Sequence, residues 1–173
     1  MKKLSALTIS LLFLTACSGT TASEKPTVTM SNDDSVTSFK MFLITPEKAS
    51  RNGEIIGCGD GMISTDVFSE EKPTTVTDKL TAAYNQLLNF KTTPTPDPEM
   101  LNALANSNLK LDSVTIKDTT ATIKISGELS LGGECDNPRV EAQLYTTGLQ
   151  FHEISDLEIF INDKPLKDVL SLK

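Results

Sequence analysis

The order of helical and strand segments after residue 75 constrains the fold of this chain more than any other sequence feature. Residues 76–89 place their apolar side chains at helical spacing, and Thr75 or Thr77 is expected to cap this helix. The apolar positions are Val76, Leu80, Ala83, Tyr84, Leu87 and Leu88. Two strand segments, a second helix and a last strand follow. This α-β-β-α-β order predicts an α+β domain, with a mainly antiparallel sheet packed by two helices.

Alternation of apolar and polar residues identifies the strands of this module. Residues 109–116 are expected to form the first strand, and residues 117–120 the turn after it. The alternating positions are Ala121, Ile123 and Ile125 in the second strand and Leu157, Ile159 and Ile161 in the last. Such alternation is typical of strands with one buried face.

The second helix is expected to begin at Asn137 and Pro138. Asparagine is a good N-cap, and proline fits the first helical position. The predicted inner face consists of Val140, Leu144, Thr147 and Phe151, supported by Ala142, Tyr145 and Leu149. Prolines at positions 94, 96 and 98 predict an extended loop between the first helix and the strands, over residues 92–99.

An N-terminal extension precedes the α-β-β-α-β module. The apolar run at residues 39–45 predicts a strand, and residues 62–68 predict a second strand or a bridge. Between them lies a polar, glycine-rich stretch that is typical of turns. We therefore divide the folded part into an N-terminal strand and glycine-rich segment, 39–75, and a domain at residues 76–170.

The N-terminus of the chain has the pattern of an export signal. Lys2 and Lys3 precede an uncharged apolar stretch that is too short for a permanent membrane span. The tetrapeptide that ends in Cys17 resembles the bacterial lipobox, in which small residues precede a cysteine that receives a diacylglycerol. We therefore expect a lipoprotein signal peptide at residues 1–16 and a flexible tether at residues 17–38.

This interpretation predicts an extracytoplasmic protein that is held to a membrane by lipid on Cys17. The membrane would be the cell membrane, or the outer membrane if the cell has two. An ordinary secretory signal with a chance cysteine is the alternative. Removing residues 1–16 also removes Lys2 and Lys3, so the formal net charge of −7 becomes about −9. Such acidity argues against binding to nucleic acid.

Export also determines how the remaining cysteines are interpreted. With Cys17 used for lipid, Cys58 and Cys135 form one even pair in an oxidising compartment. We expect a disulfide between them, and two free buried thiols are the alternative. Because Cys58 and Cys135 are 77 positions apart, closing this loop would raise the free energy of unfolding by on the order of 4–5 kcal/mol in the chain-entropy account.

Two short stretches carry a family resemblance. Residues 135–139 read Cys-Asp-Asn-Pro-Arg and lead into a helix, and residues 161–166 read Ile-Asn-Asp-Lys-Pro-Leu. Residues 57–60, Gly-Cys-Gly-Asp, add a third stretch upstream. Together with the first helix, these stretches resemble the GerMN domain of sporulation and spore-germination proteins. That family usually closes with Ile-Asn-Gly-Lys-Pro-Leu, so Asp163 stands in place of a turn glycine, which aspartate tolerates.

The resemblance implies an extracytoplasmic lipoprotein that binds or assembles with other proteins. Related α-β-β-α-β modules build rings in sporulation complexes. We therefore expect a non-enzymatic protein-interaction or assembly module, with an envelope protein as its partner. A small-ligand or cell-wall-polymer binding lipoprotein is the alternative.

Asp60, Asp136 and Arg139 are charged residues near the expected disulfide, and they are candidate binding residues. Their alternative role is structural, because Asp136 suits a helix N-terminus and Arg139 can pair with a carboxylate. The structural role is favoured, since charges beside a helix start are usually caps.

Neither a catalytic site nor a metal or cofactor site is predicted. The only histidine, His152, is expected at the far end of the second helix from Cys135, so the two cannot act as a nucleophile and its base. A zinc site would need more cysteine and histidine than the chain has left.

Overall fold

The computed structural model describes residues 37–46, 53–69, 71–91 and 100–171, all within one compact unit. In chain order its elements are β1 (Thr37–Thr45), β2 (Glu54–Ile55), a 3-10 turn (Gly57–Gly59), β3 (Gly61–Ser69), α1 (Val76–Asn89), β4 (Asn108–Lys117), β5 (Thr120–Glu128), α2 (Asp136–Leu149), β6 (Asp156–Ile161), β7 (Lys164–Pro165) and α3 (Leu166–Ser171). The predicted α+β class is confirmed, and the helices and strands from α1 to β6 follow the predicted order.

The N-terminal part forms a three-stranded antiparallel sheet in the order β1-β3-β2. β1 and β3 pair from Thr37 opposite Ser69 to Thr45 opposite Gly61. The second strand expected near residues 62–68 is therefore present. β1 begins two residues earlier than the apolar run predicts, inside the segment assigned to the tether, because Thr37 continues the ladder with Ser69.

A second sheet has the order β4-β5-β6-β7. β4 and β5 form an antiparallel hairpin, and Asp118 in its turn has a φ of 56°. β6 runs parallel to β5, with α2 as the connection between them. The expectation that β6 is the last strand is wrong, since β7 and α3 follow it. A two-residue strand that contains Pro165 shows no alternation, so the sequence pattern missed it.

A capping box begins α1 at the predicted residue. Thr75, and not Thr77, is the N-cap: its Oγ1 accepts a hydrogen bond from the Asp78 N–H at 3.1 Å. In return, the Thr75 N–H donates to Asp78 Oδ2 at 3.2 Å. The hydrogen bonds from Thr75 hold the pKa of Asp78 below its ordinary value.

The core lies between the two sheets and the first two helices. α1 packs against β1, β4 and α2. Tyr84 is fully buried at the centre of this contact, and its hydroxyl donates a hydrogen bond to the Leu144 carbonyl of α2 at 2.8 Å. Burial raises the pKa of Tyr84 far above its ordinary value.

The start of α2 differs from the prediction. The helix begins at Asp136 after Cys135, and Asn137 is not its cap. Pro138 is consequently the third helical residue, where the first turn still tolerates proline. The physical reason is a turn before the helix, in which the Asn137 N–H donates to the Glu134 carbonyl at 3.2 Å. That turn brings Asp136 and Asn137 into helical geometry.

Val140, Leu144 and Thr147 of the predicted inner face of α2 are buried, but the residues beside them differ from the prediction. Leu149, expected to support the core, is 44% exposed, whereas Gln143 and Gly148 are buried. A Cβ on Gly148 would collide with the side chain of Leu157 and lie 2.8 Å from the Tyr84 hydroxyl. This close approach of α2 to β6 turns Gly148 inward.

Some predicted segments lie outside the described residues: the signal peptide, most of the tether with Cys17, and the proline-rich loop at residues 92–99. Among the helices that the structure does describe, none has the length and apolar character needed to cross a membrane.

Candidate functional site at the disulfide

A disulfide joins Cys58 to Cys135, the pairing expected from the sequence. Their Cα atoms are 5.8 Å apart, although 77 positions separate them in the chain. Cys58 is exposed in the 3-10 turn, and Cys135 is half-buried directly before α2. The bond therefore attaches the N-terminal segment to the beginning of the second helix.

The 3-10 turn lies very close to α2, and its glycines make this possible. A Cβ on Gly57 would lie 2.6 Å from the Cβ of Pro138, which is closer than real side chains approach. Cys58 has a φ of 63° and Gly59 a φ of 75°, both in the left-handed region. The Gly-Cys-Gly sequence thus combines a tight turn with close packing against the helix start.

Arg139 connects the two sides of the disulfide through two carboxylates. Its Nε donates to Asp60 Oδ2 at 2.6 Å, and its Nη1 donates to Asp136 Oδ1 at 3.0 Å. The side chains of Asp60, Arg139 and Asp136 are 3%, 21% and 18% exposed. Asp136 Oδ2 also accepts a hydrogen bond from the Gly132 N–H at 2.6 Å. We call Asp60, Asp136 and Arg139 the charge cluster.

The electrostatics of this cluster favour a fixed ionic contact. The hydrogen bond to Asp60 is the largest influence on Arg139 and raises the pKa of its guanidinium, while burial works in the opposite direction. The planar guanidinium of Arg139 can donate to both carboxylates at once, which fixes the relative positions of the three side chains. The geometry matches the structural interpretation, in which Arg139 pairs with carboxylates beside a helix start.

His152 lies away from this cluster. Its side chain is 93% exposed, just beyond the end of α2, and its Nδ1 is 3.2 Å from a carboxylate oxygen of Glu153. Within the described ranges, no three His, Cys, Asp or Glu side chains are grouped so as to hold a metal ion.

Sequence reasoning missed a set of side-chain amides that attach β1 to α2. Gln150 Oε1 accepts from the Lys40 N–H at 2.7 Å, and Gln150 Nε2 donates to the Lys40 carbonyl at 3.1 Å. Buried Gln143 donates to the Phe42 carbonyl at 2.7 Å. A signal was present, because Gln143 follows Val140 by three residues and therefore lies on the inner face of the helix.

The Asn162 side chain serves a similar purpose in the second sheet. Its Oδ1 accepts from the Gly127 N–H at 3.0 Å, and its Nδ2 donates to the Gly127 carbonyl at 2.8 Å. Asn162 and Asp163 both have positive φ, at 52° and 59°. The Ile-Asn-Asp-Lys-Pro-Leu stretch is therefore a turn whose asparagine fixes the end of β5.

Comparison with known proteins identifies the family. A family model described as "Germane: Sporulation and spore germination" matches residues 60–167, more than half of the 173-residue chain. This chain belongs to that family. The matched Germane region contains Asp60, Cys135, Asp136 and Arg139, and it begins two residues after Cys58. The whole charge cluster is thus within the family's domain.

Two further comparisons give little more. No curated protein matches the sequence significantly. A crystal structure named as a "putative lipoprotein" from Clostridium perfringens is similar to this chain, with 14% identity and a TM-score of 0.41. The similarity covers 75% of this chain and 76% of that one.

Proposed function

We propose that this chain is a cell-envelope lipoprotein, anchored through Cys17, whose Germane domain is a non-enzymatic module for protein interaction or assembly. Two features support an envelope location. The first is the export-type N-terminus that ends in a lipobox-like tetrapeptide. The second is membership of a family named for sporulation and spore germination.

The burial of the charge cluster and the contacts among its side chains support the proposal that the domain is not an enzyme. General acid–base and nucleophilic chemistry require a titratable group that reaches substrate. Here the Asp60 carboxylate is almost completely buried and is held at 2.6 Å by Arg139. Arg139 is also bound to Asp136, so the motif stabilises the contact between the N-terminal segment and α2.

A rigid scaffold with exposed apolar residues supports the interaction part. Ile55 is 83% exposed next to the disulfide turn, and Phe68 is 68% exposed near the end of β3. Apolar side chains that a fixed backbone holds at the surface are available as contacts in a protein interface, where aromatic residues are enriched.

In-cell crosslinking tests this function. The full chain, expressed in its own host, is crosslinked and purified from detergent-solubilised membranes. We expect a specific protein that copurifies in stoichiometric amount with the wild-type chain and is lost when Cys17→Ser displaces the chain from the membrane. Recovery of the chain with sedimented wall glycan, and of no stoichiometric protein, would replace this function with wall-polymer binding.

A further inference from the structure

A groove of about 850 Å³ lies between the end of β3, the outer face of α1 and the start of β4. Three carboxamide side chains of α1, those of Asn85, Gln86 and Asn89, line it together with Phe68. We call it the carboxamide groove. It is separate from the disulfide and the charge cluster.

The three carboxamides are available for binding. All three residues are exposed, and within the described part of the chain their side chains form no hydrogen bond. Each amide offers two donor hydrogens and one acceptor oxygen. Such a group is complementary to a peptide unit, which offers one donor and one acceptor.

The same chain already uses carboxamides in this way. The Gln150 side chain binds the backbone N–H and carbonyl of Lys40 at the outer edge of β1. The Asn162 side chain binds the backbone N–H and carbonyl of Gly127. In each case one side-chain amide takes the place that a neighbouring strand would occupy. The groove presents three more such groups on one helix face, and none of them binds the backbone of a described residue.

The backbone of β3 supplies a second, independent feature. The backbone N–H and carbonyl of Lys40 point away from β3, toward Gln150. Asp66 lies opposite Lys40, so its own N–H and carbonyl point away from β1. By alternation, the backbone groups of Ser64 and Phe68 point toward the same outer edge of β3. Among the described strands, β2 alone pairs with that edge, and only opposite Gly61 and Met62. The edge therefore leads, unpaired by any described strand, to Phe68 at the groove.

The charges around the groove favour a neutral ligand. Among the described residues of its lining, Glu71 and Lys110 are the two that carry charge, and their charges cancel. Phe68 adds an apolar surface next to the carboxamides. A ligand that offers main-chain amides and one apolar side chain matches these carboxamides and Phe68. A phosphate or a polyanion would gain no net electrostatic attraction here.

We propose that the carboxamide groove binds an extended segment of a partner protein through the segment's main-chain amides, with an apolar side chain packed on Phe68. The segment lies along the edge of β3 that no described strand covers beyond Met62, as in other cases of strand addition. This inference rests on the proposed interaction function and specifies the chemistry of the partner. An N-acetylated sugar could use the carboxamides, but it could not pair with a strand edge.

The test is an NMR titration of the full chain in detergent micelles. The probe is the blocked peptide acetyl-Thr-Val-Leu-Val-Thr-amide, and the matched control is the same peptide with alternate amides N-methylated. We expect saturable shifts of the Asn85, Gln86 and Asn89 side-chain resonances and of the β3 backbone amides. The N-methylated peptide should bind at least about tenfold more weakly, because it lacks the donors.

Variants give the test its specificity. Asn85→Ala combined with Asn89→Ala should weaken peptide binding by about tenfold or more. Glu141→Ala on the exposed face of α2 is the matched control and should bind as the wild type does. Both variants lie at exposed helical positions, and an unchanged amide spectrum elsewhere confirms that they fold.

Three outcomes would overturn the inference. These are equal binding of both peptides, shifts that lie outside the groove, and saturable binding of chitotriose with no binding of the peptide. The proposed function fails separately, when crosslinking recovers no specific partner. A crosslinked partner whose capture is unaffected by the double alanine variant would refute the groove and leave the interaction function standing.

Discussion

Arg139 and Asp60 are 79 positions apart, yet Arg139 Nε and Asp60 Oδ2 lie 2.6 Å from each other directly beside a disulfide. The covalent bond and the ion pair join the same two segments. The disulfide prevents the segments from separating, while the ion pair fixes the orientation of the turn on α2. The two contacts are therefore expected to stabilise the fold together, and each is open to separate measurement.

The first prediction concerns the ion pair. Arg139→Ala removes the cation that faces the buried Asp60 carboxylate, and we expect a loss of unfolding free energy on the order of 3 kcal/mol. Urea denaturation of the oxidised protein measures it. Lys124→Ala is the control, because the ion pair between Lys124 and Asp163 is 51% and 86% exposed and should contribute little. Similar losses of unfolding free energy in both variants would show that the buried Arg139 ion pair stabilises the fold no more than an exposed one.

The second prediction concerns the disulfide. Replacing Cys58 and Cys135 together by serine releases a long loop in the unfolded chain, and we expect a loss of up to about 4.5 kcal/mol in unfolding free energy. Thermal unfolding with and without reductant gives the measurement. Mass analysis after alkylation of the exported protein without reductant should find neither cysteine labelled. Labelling of both would mean that the native protein carries free thiols.

These contacts illustrate what the sequence determines and what it does not. The pairing of Cys58 and Cys135 follows from compartment and count, and α1 follows from a clear helical period with a capping threonine. The contacts that the side-chain amides of Gln143 and Gln150 make with β1 could not be found this way. These amides bind the backbone of β1, about a hundred residues earlier in the chain, and a local pattern contains no information on so distant a contact.

The start of α2 shows a second kind of limit. Asn137 and Pro138 form a good local signal for a helix start, but the turn that precedes Asp136 extends the helix by other hydrogen bonds. The nearness of the charge cluster to the disulfide follows from the sequence, because its residues flank the two cysteines. Its distances, and the burial of Asp60, depend on the close approach of Gly57 to Pro138.

The third prediction concerns the anchor. Cys17→Ser removes the thiol that would carry the lipid, so we expect the variant to remain unlipidated and to be poorly processed. Detergent-phase partitioning of cell extracts measures the change, with wild type in the detergent phase and the variant in the aqueous phase. Cys58→Ser is the control for loss of a cysteine outside the lipobox-like tetrapeptide. Equal partitioning of Cys17→Ser and wild type would refute lipidation at this residue.

The fourth prediction compares two glycines, one with no room for a Cβ atom and one with open space around it. Gly127 has a φ of 118°, and a Cβ there would collide with the Asn108 carbonyl oxygen of the neighbouring strand. Gly127→Ala should therefore cost about 2 kcal/mol or more. A Cβ on Gly133 would meet nothing within 4 Å, so Gly133→Ala should be nearly neutral. Equal stability of the two variants in urea would contradict the geometry of the β4–β5 pair.

The last prediction concerns the buried hydroxyl of Tyr84. Tyr84→Phe leaves the Leu144 carbonyl without this donor and should destabilise the fold by about 1–2 kcal/mol at neutral pH. A pH dependence follows from the raised pKa of Tyr84. Above its ordinary value near 10, the unfolded state loses the phenolic proton while the folded state keeps it, so wild-type stability falls as the pH rises.

Tyr84→Phe lacks this proton, so its unfolding free energy should decline less steeply between pH 9 and pH 11, and the two proteins should converge. Urea denaturation across that range measures both curves. Tyr145→Phe is the control for the second tyrosine, whose pKa is raised by partial burial and by the Glu141 and Asp156 carboxylates. If wild type and Tyr84→Phe keep a constant difference over the whole range, the hydroxyl of Tyr84 ionises in the folded state and is accessible to water.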